Sequence, residues 1–160
     1  MKKRDIVTEY VPEYAKELVW DENYEALTNQ EAIFEEQAHR INRLIGKVDV
    51  IVTDSPVLFS EIYGQNNSDK FKERIWNEHN SHDNFNLFIN RSKKFEKEGR
   101  IHNLDESIEI DNQIKSMLEE NLVYYGNYYH KTVPVIVDNI ITTLNRIQAQ
   151  EIEDDEGMEL

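Results

Sequence analysis

The amino-acid sequence predicts a mixed α/β domain organised on a parallel sheet, and three observations carry that expectation. Strand-like and helical patterns alternate from residue 6 to residue 53, the order that yields parallel pairing. The run Val48-Asp-Val-Ile-Val-Thr-Asp54-Ser-Pro56 has the near-continuous apolar character of a covered strand and delivers an aspartate to its carboxyl end, where a proline opens a helix. Amphipathic helical repeats occupy about 28–45, 103–122 and 138–147.

Taken in order, residues 6–11 read as a first strand halted at Pro12, which cannot donate to a ladder. Glu13 to Trp20 begin a helix or turn, with Trp20 expected as a lid on the core. Between Thr28 and Ile45, the residues Phe34, Ala38, Ile41 and Ile45 recur at helical spacing with Ile33, Gln37 and Leu44 beside them, and Gly46 supplies the stop. Residues 48–53 form the expected second strand, covered on both faces. Pro56 suits the first turn of a helix reaching Tyr63, residues 64–69 have turn chemistry, and Phe71 with Ile75 marks a short helix to His79.

Residues 85–89 read as a third strand, followed by a polar, lid-like segment at 90–104. Asn103 and Glu106 are spaced as a capping box for a helix whose Ile110, Ile114, Met117, Leu118 and Leu122 share one face. Residues 133–137 are expected as a fourth strand, at an edge because of Pro134, with Asp138 capping a last helix that turns Ile140, Ile141, Leu144 and Ile147 inward. One domain over 1–150 is expected; the tail, 151–160, carries six acids and no base and is expected to lack fixed structure.

Thirty-two acidic residues against 18 basic ones give a net charge of −14. Nucleic acid and anionic membranes both require phosphates to be neutralised, so neither is an expected partner. The absence of cysteine excludes disulfides, thiolate metal sites and a cysteine nucleophile. The charged start Met1-Lys-Lys-Arg-Asp5 does not read as a signal peptide, and no apolar run approaches the roughly 20 residues of a membrane span, so a cytoplasmic location is expected.

Asp54 is the leading candidate for chemistry. A carboxylate ending a parallel strand stands at the edge where open α/β sheets take ligands, and could hold magnesium, directly or through water, against a triphosphate; Asp-Ser-Pro is also ordinary helix-capping sequence. Glu13, just past the first strand, would share that rim, or serve as a helix N-terminal acid. Arg91, Lys93, Lys94, Lys97 and Arg100 concentrate positive charge in an acidic chain and could close on phosphate, or form a solvated helix end. His79 and His82 could chelate together with Asp83, and the aromatic run 124–129 could stack a base or simply pack.

Together, the stretches 11–20, 46–56, 90–100 and 133–137 resemble the P-loop kinase-like ATPases of bacteriophages, relatives of nicotinamide-riboside and nucleotide kinases. The resemblance implies a three-layer α/β/α parallel sheet, with ATP and Mg²⁺ as cofactors and a small nucleoside- or nucleotide-like acceptor as substrate. It implies that Asp54 serves magnesium, that Arg91 and Arg100 close over the phosphates, and that Glu13, Tyr14 and Lys93 bind substrate. It also implies a location in the host cytoplasm if the protein is phage-encoded.

This chain departs from that pattern at one point. Its five glycines, at 46, 64, 99, 126 and 157, form no G-x-x-x-x-G-K-[ST] phosphate cradle. In a family sheet ordered 2-3-1-4-5, the first strand lies centrally, and its loss leaves a slot of roughly 10 Å. A further segment, a partner strand, self-association or closure of the flanking strands would have to fill it. A degenerate scaffold kept as an acidic interaction protein, such as a phage-encoded inhibitor or regulatory subunit, is the alternative expectation.

Overall fold

The structure, a computed structural model, describes residues 6–64, 66–91 and 102–157. Their contacts divide them into one unit containing residues up to 84 together with 102–124, and a second containing 85–91 and 125–157. The described residues are mixed α/β with short parallel strand pairs, as expected at the level of class.

In the first unit, β1 (Thr8–Val11) pairs in parallel with β2 (Val50–Thr53), in register from Thr8 opposite Val50 to Val11 opposite Thr53. Asp49 sets where β2 begins. Its Oδ2 accepts the Val7 N–H at 2.8 Å, and its own N–H donates to the Val7 carbonyl at 3.0 Å, so the ladder starts two residues later than the apolar run. The expectation of a strand covered on both faces is corrected: Tyr10 and its register partner Val52 are 56% and 42% exposed, whereas Val11 is buried.

The crossover consists of α1 (Tyr14–Trp20) and α2 (Gln30–Asn42). Leu18 is the buried residue of α1; Trp20, two positions on and about 200° around the helix, is exposed rather than a lid. The Asn29 side chain caps α2 by accepting from the Ala32 N–H, and Ile33, Phe34, Gln37 and Ala38 form its buried stripe. The helix ends at Asn42, with Leu44 and Ile45 donating three residues back, so Ile45 is exposed and Gly46 (φ +70°) reverses the chain inside the following turn.

Tight i→i+3 bonds from Phe59 to Pro56 and from Ser60 to Val57 lead into α3 (Phe59–Tyr63), so Pro56 precedes the helix and buries Val57 and Leu58 behind it. Ser68 caps α4 (Asp69–Asn80), whose Phe71, Ile75 and His79 are buried at one-turn intervals. Phe71 meets Phe34 edge-on at 5.4 Å, and Arg74 lies over both rings while bonding Glu31 at 2.6 Å and Glu35 at 2.8 Å. The anticipated capping box of Asn103 and Glu106 opens α5 (Leu104–Glu120), which buries Ser107, Ile114, Met117 and Leu118. Leu122 is not on that face. It lies beyond the helix at φ +57° and is 91% exposed, while Val123 and Leu122 donate to Leu118 and Glu119 to close the helix end.

The second unit pairs β3 (Asn86–Asn90) in parallel with β4 (Tyr125–Tyr129). The tyrosine run is therefore a strand rather than a turn. Gly126 makes room within it: a Cβ there would stand 2.3 Å from the Tyr128 ring. The expected fourth strand at 133–137 is instead the start of α6 (Val133–Gly157), where Pro134 occupies the first turn, a position whose N–H has no helical partner. Asp138 lies inside this helix, its carbonyl accepting from Thr142, and so does not cap it. The helix reaches Gly157, through most of the stretch expected to lack structure. No helix among the described residues is long and apolar enough to cross a membrane.

Candidate functional site

Parallel pairing sends the chain out of β1 and β2 at the same end, and the two exits carry the carboxylates singled out by sequence. Pro12 and Glu13 lead from β1 into α1, and Asp54 and Ser55 lead from β2 towards α3. Asp54 is exposed and Glu13 partly buried. Tyr10 lies opposite Val52 on the open face and close enough to Asp54 for the two side chains to interact. Its phenol is raised above the ordinary tyrosine value by desolvation, by hydrogen bonding to Asp54 and by the negative charges of Asp54 and Glu13, so the three side chains share one electrostatic environment.

Beneath the rim lies a buried amide. Gln37 Oε1 accepts the Tyr14 N–H at 3.0 Å, and Nε2 donates to the Pro12 carbonyl and to Thr53 Oγ1, both at 3.4 Å. Thr53 Oγ1 in turn accepts the Ser55 N–H at 3.1 Å. Glu13 makes no side-chain cap bond for α1, so Gln37, reaching from a neighbouring helix, satisfies the first N–H of that helix. Arg40 completes the seating of α1: its guanidinium lies 4.7 Å from the Tyr14 ring centre and bonds Glu17 at 2.7 Å and Glu36 at 2.8 Å. Those carboxylates raise the Arg40 pKa, and Arg40 lowers that of Glu17.

Of the residues anticipated from sequence, Glu13, Tyr14 and Asp54 are brought together at this rim, with the Tyr14 ring packed beneath Arg40. Arg91 follows β3 in the second unit, and Lys93 and Arg100 lie outside the described residues. His79 and His82 do not pair as a chelate: His79 is buried against Trp76, and His82 Nε2 engages Glu78 at 3.3 Å. Tyr10, Gln37 and Thr53 went unnoticed as site residues. The available signal was Gln37 itself, a polar residue inside the apolar stripe of α2, since a buried amide must find partners.

Donor chemistry decides what the rim can hold. Two carboxylates and a phenol are hard oxygen donors, suited to Mg²⁺, which takes one or two carboxylates and fills its remaining positions with water and phosphate oxygens. Among the described residues, no group of three or more His, Asp or Glu could form an all-protein metal cage. A separate cleft of about 650 Å³ between α3 and α5 is lined by Glu61, Asn67, Asn112 and Gln113, and none of the rim residues reaches it. No family model, curated protein or solved structure matches this chain.

Proposed function

We propose that this chain is a nucleotide-dependent phosphotransferase or ATPase of the P-loop kinase type, acting on a small nucleoside- or nucleotide-like acceptor. The observation that carries the reading is the convergence of Tyr10, Glu13 and Asp54 at the carboxyl end of a parallel strand pair, where open α/β sheets take ligands. In this reading Asp54 serves Mg²⁺, Tyr10 orients it, and Glu13 faces the acceptor. Strand pairing adds support: a three-layer sheet ordered 2-3-1-4-5, without strand 1, consists of two parallel pairs of successive strands, and β1·β2 and β3·β4 are two such pairs.

In this reading the rim alone suffices to bind Mg²⁺ and ATP, whereas transfer also needs a phosphate-binding loop supplied from outside these 160 residues and included in the transfer assay, and arginines such as Arg91 and Arg100 to neutralise charge developing on the transferred group. The test is transfer of the terminal phosphate of ATP, in the presence of Mg²⁺, to a panel of nucleosides and nucleotides. Transfer is expected to fall by at least a hundredfold in Asp54→Asn; turnover unchanged by that substitution would refute the assignment.

One observation favours a second reading. The missing phosphate cradle and the net charge of −14 suit an acidic interaction protein built on a kinase scaffold, opposing a basic partner surface. That reading predicts that Mg²⁺ and ATP leave the protein unaffected.

A further inference from the structure

We propose that the cleft between α3 and α5 binds a linear polyamine, an extended organic cation carrying several N–H donors. The inference is independent of the nucleotide reading, since none of the rim residues lines this cleft.

Glu109, Asn112, Gln113, Ser116 and Glu120 follow one another at helical spacing, so α5 presents one polar face to the cleft of about 650 Å³. Glu61 lines the same cleft from α3. One of its carboxylate oxygens, Oε2, is closed off from water and accepts no hydrogen bond. An acceptor held in that way is costly, and turning the side chain onto an N–H donor that enters the cleft removes the cost.

Several amide donors around the cleft are already committed within the protein. Asn67 Nδ2 donates to the Ser60 carbonyl and Asn121 Nδ2 to the Met117 carbonyl, both at 2.8 Å, and Gln113 Nε2 reaches Glu109 at 3.5 Å. The cleft therefore offers mainly acceptors. Among the described residues, its charged lining is Glu61, Glu109 and Glu120 against Lys72, which opposes phosphates and other anions, and no aromatic ring lines it to stack a base. Glu109 and Glu120 lie at opposite ends of the polar face, roughly 16 Å apart along the helix axis. Charges strung along a flexible chain reach both ends, whereas a compact cation reaches one.

The experiment titrates the full chain with spermidine in about 150 mM NaCl, where bulk attraction is screened, and reads NMR shifts of the Glu61, Asn67 and Gln113 amides. These should saturate together. Glu61→Gln keeps volume and removes the charge, and should weaken binding at least fivefold. Glu109→Gln and Glu120→Gln, at exposed positions, should each weaken it at least twofold and decide the question should Glu61→Gln not fold. Glu25→Gln removes the same charge from an exposed position outside the cleft and should leave binding unchanged. Hexaamminecobalt(III), which carries the charge of spermidine in compact form, should bind at least fivefold more weakly. Equal weakening in Glu25→Gln, or equal affinity for the two cations, is general attraction to a chain of charge −14 and overturns the site, as does the absence of saturable shifts at these amides.

Discussion

Leu122→Gly should stabilise the protein, although it deletes an entire hydrophobic side chain. Leu122 occupies the left-handed position after α5 at φ +57°, where the Leu122 and Val123 N–H groups close the helix onto Glu119 and Leu118. For an L-residue that conformation costs roughly 1–2 kcal/mol, and glycine adopts it freely. At 91% exposure the leucine buries almost no apolar area, so its removal forfeits little. Against the gain stands the greater freedom of glycine in the unfolded chain, about 0.4–1 kcal/mol. The net expectation is a gain of about 0.5–1 kcal/mol, read as a higher urea midpoint at unchanged slope. Gly46→Ala is the mirror experiment. Gly46 has φ +70°, and nothing lies within 4 Å of an added Cβ, so the loss is backbone strain offset by alanine's smaller freedom in the unfolded chain, about 0.5–1 kcal/mol net. A Leu122→Gly variant less stable than wild type, or a neutral Gly46→Ala, would refute the assignment of strain to these positions.

At the seam of α2 and α4, burial should outweigh charge. Phe71→Ala is expected to cost about 3–5 kcal/mol, whereas Arg74→Ala, whose side chain is 38% exposed and solvent-screened, should cost about 1–2 kcal/mol and lose most of that in 1 M NaCl. Unfolding followed by fluorescence of Trp76 on α4 measures both, and equal costs would contradict the ranking. Burial, and secondarily the neighbouring charge of His82, lowers the His79 pKa. A histidine lowered in the folded state gives stability that is present above its unfolded pKa of about 6.5 and is lost as pH falls through the folded value. Wild type should therefore lose more stability between pH 7 and pH 5 than His79→Phe; parallel stability curves would contradict this.

Much of the first unit was legible in the sequence because local and tertiary signals agree there. The strand–helix–strand order gave parallel pairing, and the Asn103–Glu106 box fixed the start of α5. The region from 124 onward misled because two signals compete. Gly126 and Asn127 look like a turn, yet the four surrounding tyrosines favour a strand, and the missing Cβ makes room for a ring. The β-branched run at 133–137 looks like a strand, yet Val133, Ile136, Val137, Ile140, Ile141, Leu144 and Ile147 keep helical spacing, and Pro134 suits a first turn. At the rim, Asp54 and Glu13 could be read from their places after strands. Tyr10 and Gln37 could not, because their roles depend on contacts 44 and 16 or more residues away in sequence.

The most direct test of the nucleotide site is thermal unfolding of the full chain with and without Mg²⁺ and ATP. Ligand at about a hundredfold over its dissociation constant stabilises by ~2.7 kcal/mol, equivalent to a midpoint rise of roughly 5–10 °C. The proposed function predicts a rise of that order that disappears in Asp54→Asn. No rise, or an equal rise in the variant, would contradict a nucleotide site at the rim of β1 and β2.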